Sequence, residues 1–165
     1  MPEVVIIGGP NGAGKSTFAR YVLPEAMPFL NADEIAKTLP EDFVGSRELE
    51  SGRRLLERLS ELARVKKSFA LETTLASRSL VPRLRELQVQ GYTAHLFFFY
   101  APSSELCLAR VAARVRRGGH DIPEATIRRR WRSGLLNFIK LYAPCVQEWS
   151  ILRNTDTNPL QLVAN

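Results

Sequence analysis

The stretch Gly9–Ser16, GPNGAGKS, constrains this chain more than any other. It follows EVVIIG, a short, β-branched, apolar run, and it precedes residues with helical spacing. The pattern G-x-x-x-x-G-K-S between a buried strand and a helix is a phosphate-binding loop. The reason is local. Gly9, Gly12 and Gly14 let the backbone curl so that its N–H groups face an anion. Asn11 and Ala13 complete the cradle, and a helix starting near Lys15 adds its positive dipole end. Lys15 is expected to reach the β- and γ-phosphates of ATP. The Ser16 hydroxyl is expected to ligate Mg2+, a hard cation that keeps most of its waters. Thr17 closes the nucleotide-binding stretch and reads as helix packing rather than as a second metal ligand.

The rest of the chain alternates short apolar runs with longer amphipathic ones. Strands are predicted at 3–8, 27–31, 68–73, 93–101 and 148–154. Helices are predicted from Lys15, from Ala32, over 46–66, 79–90 and 104–117, and from Pro123 to about Tyr142. Over 46–66, Leu49, Leu55, Leu56, Leu59, Leu62 and Ala63 can share a face. Ser103 after Pro102 suits an N-cap. The tail from 155 reads as a short helix. This alternation predicts an α/β fold, a three-layer P-loop NTPase of the nucleoside-kinase kind. Its sheet would be mainly parallel and five-stranded, with helices on both faces and a helical lid. The 165 residues fit one domain spanning 1–165, its lid at about 110–130. Ligands of such sheets bind beyond the carboxyl ends of the strands, which selects 8–16, 31–34, 72–78, 101–104 and 154–156, and the first three of these contain the chemistry.

Composition narrows the classes. No apolar run approaches the ~20 residues of a membrane helix, so no membrane association is expected. Cys107 and Cys145 are too few and too far apart for a disulfide framework; they read as buried thiols, and with no leader before VVII they predict a reducing, cytoplasmic setting. His95 and His120 form no metal cluster, and His95 reads as a core-edge histidine. The net charge of +6 is local. Eight arginines between Arg110 and Arg132 face only Asp121 and Glu124, and the remainder is neutral.

A nucleotide site does not define a reaction. No base-reading NKxD motif marks a GTPase, and the short length argues against motor and AAA+ ATPases. A kinase for a small acceptor is left. Asp33, two residues past Asn31 after the second strand, can orient an acceptor hydroxyl for in-line attack. A carboxylate is a weak base, which suffices for a loose transition state. Capping of the next helix by Asn31 or Asp33 is the alternative reading. Glu72, at the end of the third strand, can hold a Mg2+-bound water or hydrogen-bond the acceptor. Sequence does not settle Glu72 against Asp33 as the base. Thr73, Thr74, Ser77 and Arg78 follow it on a polar loop suited to an acceptor pocket. Arg110, Arg114 and Arg117 fall on one helix face ahead of the GGHD turn. Two glycines there allow a lid that would bring the arginines onto the β/γ-phosphates. Ile127, Trp131, Leu135, Phe138 and Tyr142 form a core stripe. Arg128, Arg129, Arg130 and Arg132 surround it; some suit the lid, and most read as solvated or paired to nearby carboxylates.

GPNGAGKSTFA, FLNADEIA, FALETTLASR and RVRRGGHDIPEATIRRRW, in this order, resemble the zeta-toxin-like kinases of the P-loop superfamily. The resemblance covers about residues 3–155. It implies a kinase using ATP and Mg2+, whose best-known relatives phosphorylate a sugar hydroxyl of UDP-N-acetylglucosamine. By that resemblance Lys15 and Ser16 hold phosphate and metal, and Asp33 is catalytic. Glu72 with Thr74 binds the acceptor, and Arg110 and Arg117 are lid arginines. An antitoxin partner would go with such a family; no residue of this sequence points to one. Two rivals are a polynucleotide 5′-hydroxyl kinase and a non-catalytic nucleotide-gated binding protein. The first needs a basic groove with exposed aromatics, and here the aromatics lie in strands or on core stripes, which argues against nucleic acid. The second would bind ATP tightly and phosphorylate nothing.

Overall fold

The computed structural model describes residues 1–154 and 161–165. Its sheet contains β1 (Glu3–Gly8), β2 (Phe29–Asn31), β3 (Phe69–Thr73), β4 (Thr93–Tyr100), β5 (Glu148–Arg153) and β6 (Gln161–Ala164). The spatial order is β2-β3-β1-β4-β5-β6. The first five strands are mutually parallel, and β6 returns antiparallel to β5. The sheet is therefore six-stranded rather than five-stranded. The tail predicted as a helix forms β6 at 161–164, and its residues 155–160 lie outside the described residues.

β1 is central, and its alternation sorts the helices. Val4 and Ile6 are fully buried with Leu55, Leu59 and Leu62 of α3 (Arg47–Arg64) and Leu84 and Leu87 of α4 (Leu80–Val89). Ile7 faces the other way, with Phe18 and Ala19 of α1 (Lys15–Val22) and Phe99. Successive strand side chains point to opposite faces, so one strand serves both layers. A smaller cluster of Cys107, Val111, Ile122 and Ile127 joins α5 (Ser104–Arg116) to α6 (Glu124–Asn137). The Ser103 hydroxyl caps α5 by accepting from Leu106 N at 3.2 Å.

Three expectations change in detail. Leu49 is 76 % exposed rather than part of the α3 core stripe. The helix from Pro123 does not run unbroken to Tyr142: α6 ends at Asn137 and continues as a π-helical turn, Phe138–Tyr142. Cys145 is only half-buried, whereas Cys107 is buried. Trp131 packs beside the α5–α6 cluster and donates its Nε1–H to Ala101 O at 2.9 Å. Partly buried His95 meets the Glu148 carboxylate at 3.1 Å.

Parallel pairing brings the chemistry together. Gly8 sits in register with Thr73, and Asn31 with Glu72. The loop after β1, the end of β2 and the end of β3 thus open side by side at one edge of the sheet.

Candidate functional site

The loop from Gly9 to Gly14 is built from conformations that favour glycine. Gly9, Gly12 and Gly14 have φ of 137°, 79° and 96°. A Cβ at Gly9 would lie 2.5 Å from Phe99 O, and one at Gly12 would lie 2.9 Å from Cys107 O. The loop is therefore fitted to β4 and α5 as well as curled. Gly14 is the N-cap of α1 with no side chain capping it, which leaves the first amides of that helix for an anion. Asn11 and Ala13 are buried within the loop.

Lys15 is 5 % exposed. Its ammonium donates to Pro10 O at 2.9 Å and stands 3.6 Å from Glu72 Oε1. Burial pushes its pKa below the ordinary lysine value, and the nearby Glu72 and Asp33 carboxylates oppose the shift. Glu72 is the hub of the site. Its Oε2 accepts from the Ser16 hydroxyl at 2.8 Å and from Asn31 Nδ2 at 3.0 Å. Asn31 also works in the other direction. Its Oδ1 accepts from Asp33 N and Glu34 N at 2.8 and 3.4 Å, capping α2 (Ala32–Lys37). Of the two candidate caps, Asn31 takes the role, and the exposed Asp33 side chain is left on the wall of the adjoining cavity. Thr17 is exposed on α1, next to Ser16.

That cavity has a volume of about 670 Å3. Lys15, Asp33, Glu72 and Thr74 share it, and α3, the start of α4 and the turn before α6 close its sides. Ser77 and Ser79 line it, whereas the exposed Arg78 between them does not. The site thus has a phosphate cradle at one end and a mixed apolar and polar chamber beside it.

The lid arginines separate. Arg110 lies against the loop, its Cβ 3.2 Å from where a Gly12 Cβ would be, and it donates to Asn154 O at 3.0 Å. Arg114 turns back and donates to His120 O at 2.8 Å, so it braces the glycine turn. Arg117 caps the end of α5 and is exposed. None of these three lines the cavity. Arg130 does: it reaches Asn11 Oδ1 at 3.3 Å and is ion-paired to Glu48. The sequence reading placed it among arginines that are mostly solvated or paired to carboxylates; its pairing with Glu48 fits that reading, while its contact with Asn11 goes beyond it. Its signal was its phase, since it flanks the buried stripe of Ile127 and Gly134 on α6.

No ligand is needed to judge whether the residues suit ATP and Mg2+. Uncapped amides at a helix start, a buried lysine and a serine hydroxyl beside one carboxylate are donors that suit a polyphosphate and a hard cation. Among the described residues no group of three or more His, Cys, Asp or Glu is placed to hold a metal by itself. That suits a cation held partly by substrate phosphates and water.

Residues 4–133 match the AAA domain family AAA_33. The chain belongs to that family. An uncharacterized protein of Haemophilus influenzae is 28 % identical over 129 residues, covering 78 % of this chain and 92 % of the relative. Solved structures share the fold. One is from the Pnkp1/Rnl/Hen1 RNA repair complex, with TM-score 0.69 and 21 % identity over 85 % of this chain. This AAA domain spans only 46 % of that chain. A second is a candidate kinase of Chloroflexus aurantiacus, with TM-score 0.68 and 16 % identity over 94 % of this chain and 90 % of the other. A third comes from the PezAT toxin-antitoxin system of Streptococcus pneumoniae, with TM-score 0.67 and 17 % identity over 97 % and 70 %. The fold is a P-loop, kinase-like nucleotide-binding fold, and no helix among the described residues is long and apolar enough to cross a membrane.

Proposed function

We propose that this AAA domain is an ATP-dependent phosphotransferase that moves the γ-phosphate to a hydroxyl of a small molecule. The observation that carries the reading is the junction of two compartments. Lys15, Glu72 and Asp33 line one chamber, and Glu72 contacts both Lys15 and the Ser16 hydroxyl. When bound, ATP supplies the phosphoryl group, and Mg2+ neutralises charge on its β- and γ-oxygens.

In this reading the backbone from Gly9 to Gly14 and Lys15 hold the phosphates, and Ser16 holds Mg2+. Glu72 keeps Ser16 and Lys15 aligned and would hold the cation through water. Its contacts with Ser16 and Lys15 favour that role over direct acceptor binding. Asp33 accepts the hydroxyl's hydrogen and aims its oxygen. That is chiefly an orienting task, since phosphoryl transfer depends mainly on positioning and charge stabilisation. Thr74 binds the acceptor. Arg110, Arg117 and Arg130 neutralise the transferring group when the segment at about 110–130 closes, and Arg114 stiffens that segment. One domain does all of this.

Transfer from γ-labelled ATP into a panel of sugars, nucleotide-sugars such as UDP-N-acetylglucosamine, nucleosides and 5′-hydroxyl oligonucleotides tests the reading. Label is expected in a small-molecule alcohol and is expected to vanish in Lys15→Ala. Label in oligonucleotides alone would establish a polynucleotide kinase instead. Tight ATP binding with no labelled product would establish a nucleotide-gated binding protein.

A further inference from the structure

The loop after β3, residues 74–77, carries two of the side chains that line the chamber, Thr74 and Ser77. Between them Leu75 has φ 56°, a left-handed conformation that a leucine rarely adopts. Its side chain is fully buried and packs under β1, where a Cβ on Gly8 would lie 2.7 Å from Leu75 Cδ1. The left-handed turn thus points Leu75 into the core, while the chamber is lined from either side of it. A conformation of this kind persists only where the surroundings over-determine it.

Leu75 N donates locally to Thr73 Oγ1 at 3.1 Å, and the polar contacts on the loop's carbonyls come from one stretch of chain far away in sequence. Asn137, buried at the end of α6, donates both amide hydrogens into the loop, to Leu75 O at 2.8 Å and Ala76 O at 3.1 Å. One turn earlier, Gly134 packs so closely on the loop that a Cβ would collide with Thr74 O. The π-helical turn then swings Tyr142 back, and its hydroxyl donates to Ser77 O at 2.6 Å. Inserted π turns often mark functional positions. Three residues of one helical stretch therefore touch Thr74, Leu75, Ala76 and Ser77 in turn, all through backbone carbonyls.

We propose that Asn137 is a positioning residue for acceptor binding, with Gly134 beside it: together they set the backbone that presents Thr74 and Ser77 to the acceptor. Asn137 lies outside the chamber's lining and acts only through the loop. The inference rests on the phosphotransferase reading for the word acceptor, but the geometry of the loop is testable without it.

Asn137→Leu keeps the approximate volume and removes both donors, Asn137→His restores a donor, and Gly134→Ala presses on Thr74 O from the same side. Amide hydrogen exchange on the full chain, with a non-hydrolysable ATP analogue and Mg2+ bound, gives the first readout. In Asn137→Leu, exchange at Leu75, Ala76 and Ser77 is expected to quicken at least tenfold, while the β1 and α1 amides keep their protection. Asn137→His is expected to recover part of the slowing. The second readout is steady-state transfer to any acceptor the panel identifies. The acceptor KM is expected to rise at least tenfold in Asn137→Leu and Gly134→Ala, with ATP affinity within twofold of wild type. Exchange that quickens uniformly through the sheet, or an unchanged loop, would overturn the proposal. So would an acceptor KM that does not move. Should no acceptor be phosphorylated, the phosphotransferase reading falls, and the exchange pattern alone decides the role of Asn137. Where Asn137→Leu does not fold, Gly134→Ala decides by the same two readouts.

Discussion

Glu72→Gln tests the hub of the site, because it removes one charge and keeps the shape. Lys15 and Glu72 form a buried pair, with side chains 5 % and 11 % exposed. Removing one partner of such a pair costs about 3–5 kcal/mol when the other is left buried and unpaired. Two features reduce that cost. The 3.6 Å separation is longer than a charge-assisted contact of about 2.8 Å. Lys15 also keeps its bond to Pro10 O. The expected loss is therefore about 1–3 kcal/mol, in the range of a buried group losing its partner. Urea unfolding without nucleotide measures it. Bound ATP should narrow the gap, because phosphate takes over as the counter-charge of Lys15. The pH dependence has a definite sign. The folded pKa of Lys15 lies below its ordinary 10.5. The fold therefore opposes its protonation, and stability rises with pH between the folded value and 10.5. Loss of Glu72 pushes the folded value lower still, so the gap between the two proteins should close at alkaline pH, where Lys15 is neutral. A Glu72→Gln protein as stable as wild type at neutral pH without nucleotide would refute the reasoning.

Other perturbations separate the remaining parts. Arg117→Ala should lower turnover by a factor on the order of 10³ and leave resting ATP affinity almost unchanged, by the usual effect of an arginine acting on the transferring group. Equal losses in the two, measured by single-turnover kinetics and titration, would make it a plain binding residue. Arg130→Gln, which breaks the contacts to Asn11 and Glu48, should lower both. Glu50 lies on α3, and hydrogen bonds from Arg53 and then Arg54 hold its pKa down to about 2. Its stabilising contribution is present above its ordinary 4.5 and is lost as pH falls through 2, so Glu50→Gln should flatten the acid limb of the stability curve in that window.

The sequence made the phosphate cradle legible because GPNGAGKS demands one backbone shape, and the shape leaves glycines where side chains would collide. Asn31, Asp33 and Glu72 were legible because parallel strands end at one edge. The fit failed where tertiary context overrides pattern. β6 is four residues on the edge of the sheet with mostly exposed side chains, so it has no buried alternation to read. Leu49 lies about a third of a turn off the stripe of Leu55, Leu59 and Leu62 at 3.6 residues per turn, and it faces the chamber instead of the core. The arginine cluster was legible as charge but not as roles. Three arginines on one face divide into a contact with Asn154, a brace on His120 and an exposed helix end. Arg130 reaches the loop from the next helix. Asn137 carried no signal, since it lies about a third of a turn off the centre of the stripe of Ile127, Trp131, Leu135, Phe138 and Tyr142 at 3.6 residues per turn.

The most direct test of the phosphotransferase reading is single-turnover transfer by Asp33→Asn beside wild type, with ATP binding measured on the same samples. The expected result is ATP affinity within about twofold and transfer reduced by at least 10², the lower end of what a positioned acid–base group contributes. Transfer at the wild-type rate with ATP still bound would contradict it.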